Sequence, residues 1–156
     1  MKKIVFIALV ALSITTSYAK DKGPKIEVKD DTVMVDKKAV FILSQFKNGS
    51  AVNYFVKDLS GTKLLFLQEN DYVNTNRPNP NYSKFPNGPR YLSTYYFEVT
   101  FLESKEKAEI EYFKQSKLAE FIVKSGLIVD GKITKDKEEE FILINGNKFS
   151  EEKSRL

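Results

Sequence analysis

The chain contains no histidine and no cysteine, which limits the chemistry that its side chains can perform. Without these residues it cannot form a Ser-His-Asp or Cys-His nucleophile pair, nor a zinc or haem site that depends on those ligands. A glycine-rich phosphate loop is also missing from the sequence, so nucleotide chemistry lacks its usual cradle. The chemistry that remains is a carboxylate pair, a Ser-Lys dyad or an oxygen-ligated calcium ion.

Glu98 is the most interesting carboxylate. It occupies the middle of a predicted strand, beside Tyr96 and Thr100 on the less apolar face. A small carboxylate-dependent hydrolase acting outside the cytoplasm would need a second carboxyl group about 5 to 10 Å away in a pocket. Because the polar faces of antiparallel sheets are usually only solvated, we interpret Glu98 as a solvent-facing strand residue and keep the hydrolase as the alternative. We expect no catalytic residue, no metal and no cofactor.

Residues 69–90 are rich in asparagine and proline, with six of the former and four of the latter. Proline removes a backbone donor, and asparagine favours local side-chain hydrogen bonds, so we predict that this segment is neither strand nor helix. Loops longer than about 12 to 15 residues in compact domains tend to be functional or mobile. The sequence therefore predicts one long loop here.

The predicted loop also carries aromatic and arginine side chains, which suit a recognition surface. Flat apolar rings beside amides and guanidinium groups can bind a protein, a glycan or a small apolar ligand. Alternatively, the rings pack the loop onto the domain's own surface and keep only their polar ends in water. The candidate ligand or partner surface consists of Tyr72, Arg77, Tyr82, Phe85, Arg90 and Tyr91.

The element that must support this surface is the strand predicted over residues 91–103. Its apolar residues recur at every second position and alternate with polar ones, as in a half-buried strand. The apolar row consists of Tyr95, Phe97, Val99 and Phe101, and the polar row of Thr94, Glu98 and Thr100. Such a strand needs partners at its edges and a cover on its apolar face.

Two hairpins are predicted before it. A turn at Asp30 and Asp31 places Val28 opposite Val33, and Ile26 opposite Val35. Asn48 and Gly49 suit a second tight turn. This turn sets Phe41, Leu43 and Gln45 against Val56, Tyr54 and Val52 on one face, with Val40, Ile42, Phe46, Ala51 and Phe55 on the other. Residues 62–68 form a further strand with an unbroken apolar run.

Because both faces of these strands are apolar, a single helix layer cannot cover the sheet. We expect the meander to curl into a sandwich or open barrel, and the alternative is an exposed face that a partner chain or ligand covers.

The C-terminal part predicts one more strand and two helices. Residues 107–113 alternate as a strand, although a helix starting at Ser104 competes. Ser116 can cap a first helix that stops at Gly126. A second helix begins near Thr134 or Asp136 and ends at Gly146. We expect Leu118, Phe121, Ile122, Phe141 and Ile144 to face inward. The predicted fold class is α+β, an antiparallel meander of about six to seven strands covered by two C-terminal helices.

Residues 1–19 have the features of a signal peptide. Lys2 and Lys3 precede a short apolar run, and Tyr18 lies between the small residues Ser17 and Ala19, which suit a signal peptidase. The run is too short to span a bilayer. We predict cleavage after Ala19, no membrane anchor afterwards, and a single domain over residues 20–156 in the periplasm or the medium.

The predicted mature chain is nearly neutral. Removing Lys2 and Lys3 leaves 23 basic against 21 acidic residues, a net charge of +2. The two signs are interleaved along the sequence, so we expect no nucleic-acid partner.

The run from residue 117 to residue 149, with its Lys-Leu-Ala-Glu-Phe-Ile-Val-Lys, Asp-Gly-Lys-Ile and Phe-Ile-Leu-Ile-Asn-Gly segments, resembles the ending of small uncharacterised exported proteins of Bacteroidota. The resemblance implies a sheet-plus-helices domain and carries no activity. Together these observations predict an exported, non-catalytic binding or interaction protein of unknown ligand.

Overall fold

The computed structural model describes residues 23–156, so the predicted signal peptide and its cleavage site lie outside the described residues. Within them the chain forms one antiparallel sheet in sequence order, and the first and last strands do not pair with each other. Three helices follow the strands. The elements are β1 (Ile26–Lys29), β2 (Thr32–Val35), β3 (Lys38–Asn48), β4 (Ala51–Lys57), β5 (Lys63–Pro78), β6 (Tyr91–Phe101), β7 (Lys107–Glu111), α1 (Gln115–Lys124), α2 (Lys135–Asn145) and α3 (Lys148–Ser154). The predicted α+β class and antiparallel meander are confirmed.

The first hairpin has the predicted register. Val28 lies opposite Val33, and Ile26 lies opposite Val35. Asp30 and Asp31 have φ angles of 47° and 62°, as a tight hairpin turn with two left-handed residues requires. Aspartate tolerates this conformation better than most residues.

The second hairpin differs from the prediction by two residues in its pairing. Leu43 lies opposite Val56 rather than Tyr54, because the two turn residues are Gly49 and Ser50. Gly49 takes the positive φ of 63° at the first turn position, and Asn48 pairs within β3. A shift of two residues conserves the faces, so each side chain points to the predicted side of the sheet.

The long loop predicted over residues 69–90 is wrong in its first half. Strand β5 continues to Pro78 and pairs with β6 as far as Pro78 opposite Tyr91. Residues 69–77 contain no proline, and the long strand β6 offers partners to residues 69–74 before the register becomes irregular. Pro78 enters only beyond an irregularity in the register, where proline is tolerated. The true loop spans residues 79–90.

One face of the sheet carries the main core. Phe97, Val99 and Phe101 are at most 1% exposed, as predicted. Tyr95 is 51% exposed and does not belong to the buried row, because it lies past Tyr96, the last β6 residue that pairs with β7. Helices α1 and α2 cover this face. Their contribution to the core includes Leu118, Ala119, Ile122 and Phe141.

The opposite face is not covered by a second sheet, so the expected sandwich does not form in residues 23–156, and the single sheet does not close. The rings of Phe46, Phe55 and Phe66 pack against one another across three strands, with centroids 5.1 and 5.2 Å apart for the closer pairs. Phe46 is 36% exposed. The part of this face around the three rings is therefore partly exposed.

Two details of the helices correct the sequence predictions. Helix α1 begins after Lys114, so Ser116 lies inside its first turn rather than at the cap. Ile144 is 73% exposed, because α2 turns Phe141, Ile142 and Asn145 toward the protein instead. Of the two predicted starts of α2, Thr134 is the N-cap, its side chain accepting from the Lys137 N–H, and Asp136 lies in the first turn.

The third helix, α3, was not predicted and lies on the second face of the sheet. Between α2 and α3 the chain passes over the outer edge of β7, where the Glu109 N–H donates to the Gly146 carbonyl with an N···O distance of 2.8 Å. The Glu109 carboxylate then accepts from the N–H groups of Phe149 and Ser150 at 2.7 and 2.9 Å, and from the Ser150 hydroxyl. One buried glutamate thus fastens α3 to β7. No helix of the described part is long and apolar enough to cross a membrane.

Candidate functional site

Strands β5 and β6 extend beyond the rest of the sheet as a two-stranded arm. The pairing of β4 with β5 ends at Tyr54 opposite Leu67, and that of β7 with β6 ends at Glu111 opposite Tyr96. The pairing between β5 and β6 continues to Pro78 opposite Tyr91. We call residues 71–95 the arm, and residues 77–91, which include its loop, the arm tip.

Hydrogen bonds within the loop define the shape of the arm tip. Asn79 joins the two ends, because its backbone N–H donates to the Arg90 carbonyl at 2.9 Å and its side-chain amide donates to the Pro89 carbonyl at 2.8 Å. The Asn79 side-chain oxygen accepts from Asn81, and Phe85 N–H donates to the Asn81 carbonyl. Asparagine side chains therefore form local hydrogen bonds in this loop, as the sequence predicted.

Two aromatic side chains of the arm tip are exposed, and the third, Tyr91, is half-buried. Phe85 is 68% exposed and Tyr82 is 38% exposed. Arg77 and Arg90 are also exposed, and the Arg90 guanidinium lies 5.5 Å from the centre of the Tyr91 ring. The alternative in which these rings pack the loop onto the domain does not describe Phe85, and it describes Tyr82 only in part.

The arm tip is cationic. It contains Arg77, Lys84 and Arg90, and the sequence has no aspartate or glutamate from residue 72 to residue 97. Five of the six candidate residues, all except Tyr72, are therefore brought together on one basic, aromatic projection.

Tyr72 does not belong to this surface. It is 6% exposed and lies where the arm leaves the sheet, which we call the root of the arm. There it forms a small cluster with Tyr96 and Phe149. The rings of Tyr96 and Phe149 stack with centroids 5.0 Å apart. The assignment of Tyr72 to a recognition loop is wrong because residue 72 pairs in β5, where its side chain points under α3.

Polar contacts complete the root of the arm. The Asn74 amide donates to the Thr94 hydroxyl at 3.1 Å and to the Glu152 carboxylate at 2.9 Å. The neighbouring Tyr72 hydroxyl and the Asn74 amide both favour the ionised form of Glu152 and lower its pKa. Helix α3 therefore holds the arm through one carboxylate as well as through stacked rings.

Glu98 lacks the surroundings that a hydrolase would need. It forms an ion pair with Lys107 at 2.7 Å. A second carboxylate, that of Glu109, is on the opposite residue of β7, but it is 4% exposed and its oxygens are occupied by α3. Neither carboxylate lines any of the five main surface pockets of residues 23–156.

The largest of these pockets is a groove of about 730 Å³ between α2 and the turn that joins β6 to β7. Its apolar surface comes from Ile133, Ile142 and Leu143, and Leu143 is 87% exposed. Its polar rim consists of Glu103, Ser104, Glu106, Lys135, Glu138 and Glu139. We call this pocket the α2 groove.

The charge of the α2 groove is negative, since four glutamates face one lysine. Lys135 contacts Glu139 at 3.6 Å. Within residues 23–156, Glu103, Glu106 and Glu138 form no ion pair. The sequence signal for this groove lies in α2. Residues 141–144 are four consecutive apolar residues on a helix, and they cannot all face one core.

Among the described residues there is no group of three or more carboxylates arranged to hold a metal ion. Comparison with known proteins found no matching family model, no similar curated protein and no similar solved structure.

Proposed function

We propose that this chain is an exported, non-catalytic binding protein that recognises a partner through the arm tip. The observation that carries the proposal is the 68% exposure of Phe85 at the end of a projecting hairpin. Large aromatic side chains contribute most to binding when a partner removes them from water. Export is supported by Lys2, Lys3 and the apolar run that follows them.

The shape of the arm tip favours a macromolecular partner over a small apolar ligand. Small ligands bind in concave sites that enclose most of their surface. The residues of the arm tip line none of the five main pockets of residues 23–156. Hydrogen bonds around Asn79 order the loop in the free protein. This reduces the conformational entropy that is lost when a partner binds.

The experiment compares two double variants of the predicted mature protein, residues 20–156, as bait in an envelope extract of the source organism. The tip variant is Tyr82→Ser with Phe85→Ser. The control is Leu59→Ser with Val129→Ser, which removes two side chains that are 54% and 50% exposed elsewhere. We expect the tip variant to capture less of the partner than the wild type does, and the control to capture as much as the wild type.

A thermal melt of each variant accompanies the capture assay. Substitutions of exposed residues change stability by roughly 0.5 kcal/mol or less, so both midpoints should stay within about 3 °C of the wild type. A much larger drop for the tip variant would identify its rings as packing residues and overturn the proposal. Undiminished capture by the tip variant would overturn it as well.

A further inference from the structure

We infer that the partner of the arm tip is the α2 groove of a second copy of this chain, so that copies associate head to tail. The inference rests on the proposed function and names the partner of the same site. It depends on two surfaces of opposite chemistry. One is a projecting, basic and aromatic tip, and the other is a recessed, acidic and apolar groove.

The two surfaces match in their apolar parts. The α2 groove, with about 730 Å³, is within the range of roughly 300 to 1,000 Å³ that well-formed binding pockets occupy. Leu143 presents nearly its whole side chain to water at this groove, and Phe85 does much the same at the tip. Contact between them would remove both side chains from water, which is the main favourable term in association.

The two surfaces also match in charge. The tip carries Arg77, Lys84 and Arg90 without an acidic residue, and the groove has four glutamates and one lysine. Arginine binds carboxylates with its planar, forked donors, and charge complementarity guides orientation and raises the rate of association. An acidic partner would also suit the tip alone, but the apolar floor beside the acidic rim is a feature that this chain itself supplies.

The position of the two surfaces requires that the contact be made between molecules. The tip adjoins Tyr91 at the start of β6, and Glu103 of the groove follows Phe101 at the end of that strand. Eleven residues of strand separate the ends by roughly 35 Å, given a rise of about 3.3 Å per residue. A tip cannot reach its own groove. A contact between two different surfaces leaves one tip and one groove unused in each pair, so association continues into longer chains unless the geometry closes a ring.

The test is a complementation experiment with variants of residues 20–156, in which association is measured by sedimentation velocity. The tip variant is Tyr82→Ser with Phe85→Ser, and the groove variant is Glu106→Lys with Leu143→Lys, whose target residues are both exposed. We expect the wild type to form a concentration-dependent series of species that weakens at high salt. Each variant alone should associate at least about tenfold more weakly.

A one-to-one mixture of the two variants gives the decisive result. The groove variant has an intact tip and the tip variant has an intact groove, so together they should form a heterodimer that cannot grow further. The matched control, Leu59→Ser with Val129→Ser, should assemble like the wild type. A mixture that remains monomeric, or a wild type that is monomeric at all concentrations, would overturn the inference.

The same variants separate this inference from the proposed function. If the groove variant still captures a partner from envelope extract and the tip variant does not, the tip recognises something other than this chain, and only the inference about the second copy fails. If neither variant loses capture and none assembles, the proposed function fails with it.

Discussion

Replacing Glu109 with alanine is expected to detach α3 from the sheet. The Glu109 side chain is almost fully buried and accepts three hydrogen bonds, two from backbone N–H groups at the start of α3 and one from the Ser150 hydroxyl. Helix α3 has only seven residues and cannot be stable alone. Its position therefore depends on this carboxylate and on the rings that Phe149 covers.

The expected loss of stability in Glu109→Ala follows from the hydrogen bonds that the Glu109 carboxylate accepts. A hydrogen bond to a charged group contributes about 1.5 to 3 kcal/mol. Ser150 is exposed, so its hydroxyl regains water when the carboxylate is removed, and only the bonds to the Phe149 and Ser150 N–H groups are counted. Relief of repulsion with Glu98, on the opposite residue of β6, offsets part of the loss. We expect a net destabilisation of about 2 to 4 kcal/mol.

The assay is chemical denaturation followed by tyrosine fluorescence and circular dichroism, because the chain has no tryptophan. Glu111→Ala is the matched control, since Glu111 is an exposed glutamate on the same strand. Hydrogen exchange at the Phe149 and Ser150 amides should accelerate in Glu109→Ala and stay unchanged in the control. Equal denaturation midpoints for the two variants, with both amides still protected, would refute the role assigned to Glu109.

Four further predictions concern the core, the arm and the N-terminus. Phe97→Ala should cost about 3 to 5 kcal/mol, because its side chain is fully buried, whereas Glu98→Ala should cost less than about 1 kcal/mol in the same denaturation assay. A larger effect at Glu98 would mean that the faces of β6 are reversed. Tyr72→Ser should lower the free energy of unfolding by about 3 kcal/mol in a thermal melt, because Tyr72 is buried, and an unchanged stability would mean that Tyr72 is exposed. The lowered pKa of Glu152 gives a stabilisation that is present above its unfolded value near 4.5 and is lost as pH falls through the lower folded value. The stability difference between wild type and Glu152→Gln should therefore shrink in acid, and a constant difference from pH 7 to pH 2 would contradict this. Intact mass of the exported protein should show Lys20 as its first residue, and a retained N-terminus would mean that the signal is not cleaved.

Local sequence determined the strands and turns where a short-range rule decides the outcome. Alternation predicted the buried Phe97, and paired aspartates predicted the turn at Asp30 and Asp31 together with its register. At the second hairpin Gly49 indicated the position of the turn. Either Asn48 or Ser50 could be the second turn residue beside it. Because both choices point the same side chains inward, the face pattern could not distinguish them.

Long-range pairing explains most of the errors. Asparagine and proline are unfavourable in strands on average, yet residues 69–78 belong to a strand because β6 pairs with residues 69–74 and again with Pro78. Pairing with β6 also places Tyr72 in β5, whereas residue propensities predicted that it lies in the loop. Helix α3 has a similar cause, since its stability comes from a glutamate about forty positions earlier in the chain.

The location of the candidate residues was predicted in part. Exposed rings and arginines at the loop followed from residue type, and five of the six residues lie on the arm tip. The α2 groove was missed because its residues come from three separate segments, residues 103–106, Ile133 and α2. Composition alone does not bring such segments together.

The passage of the chain over β7 has a consequence for the order in which the protein is made. Synthesis proceeds from the N-terminus, so β7 exists before residues 146–156, which cover its outer edge and fasten α3. During that interval the edge is an unpaired strand that another chain can join. A premature stop codon after Asn145 would therefore leave every strand of the sheet in place and still produce a protein that aggregates, because only the closing segment would be missing.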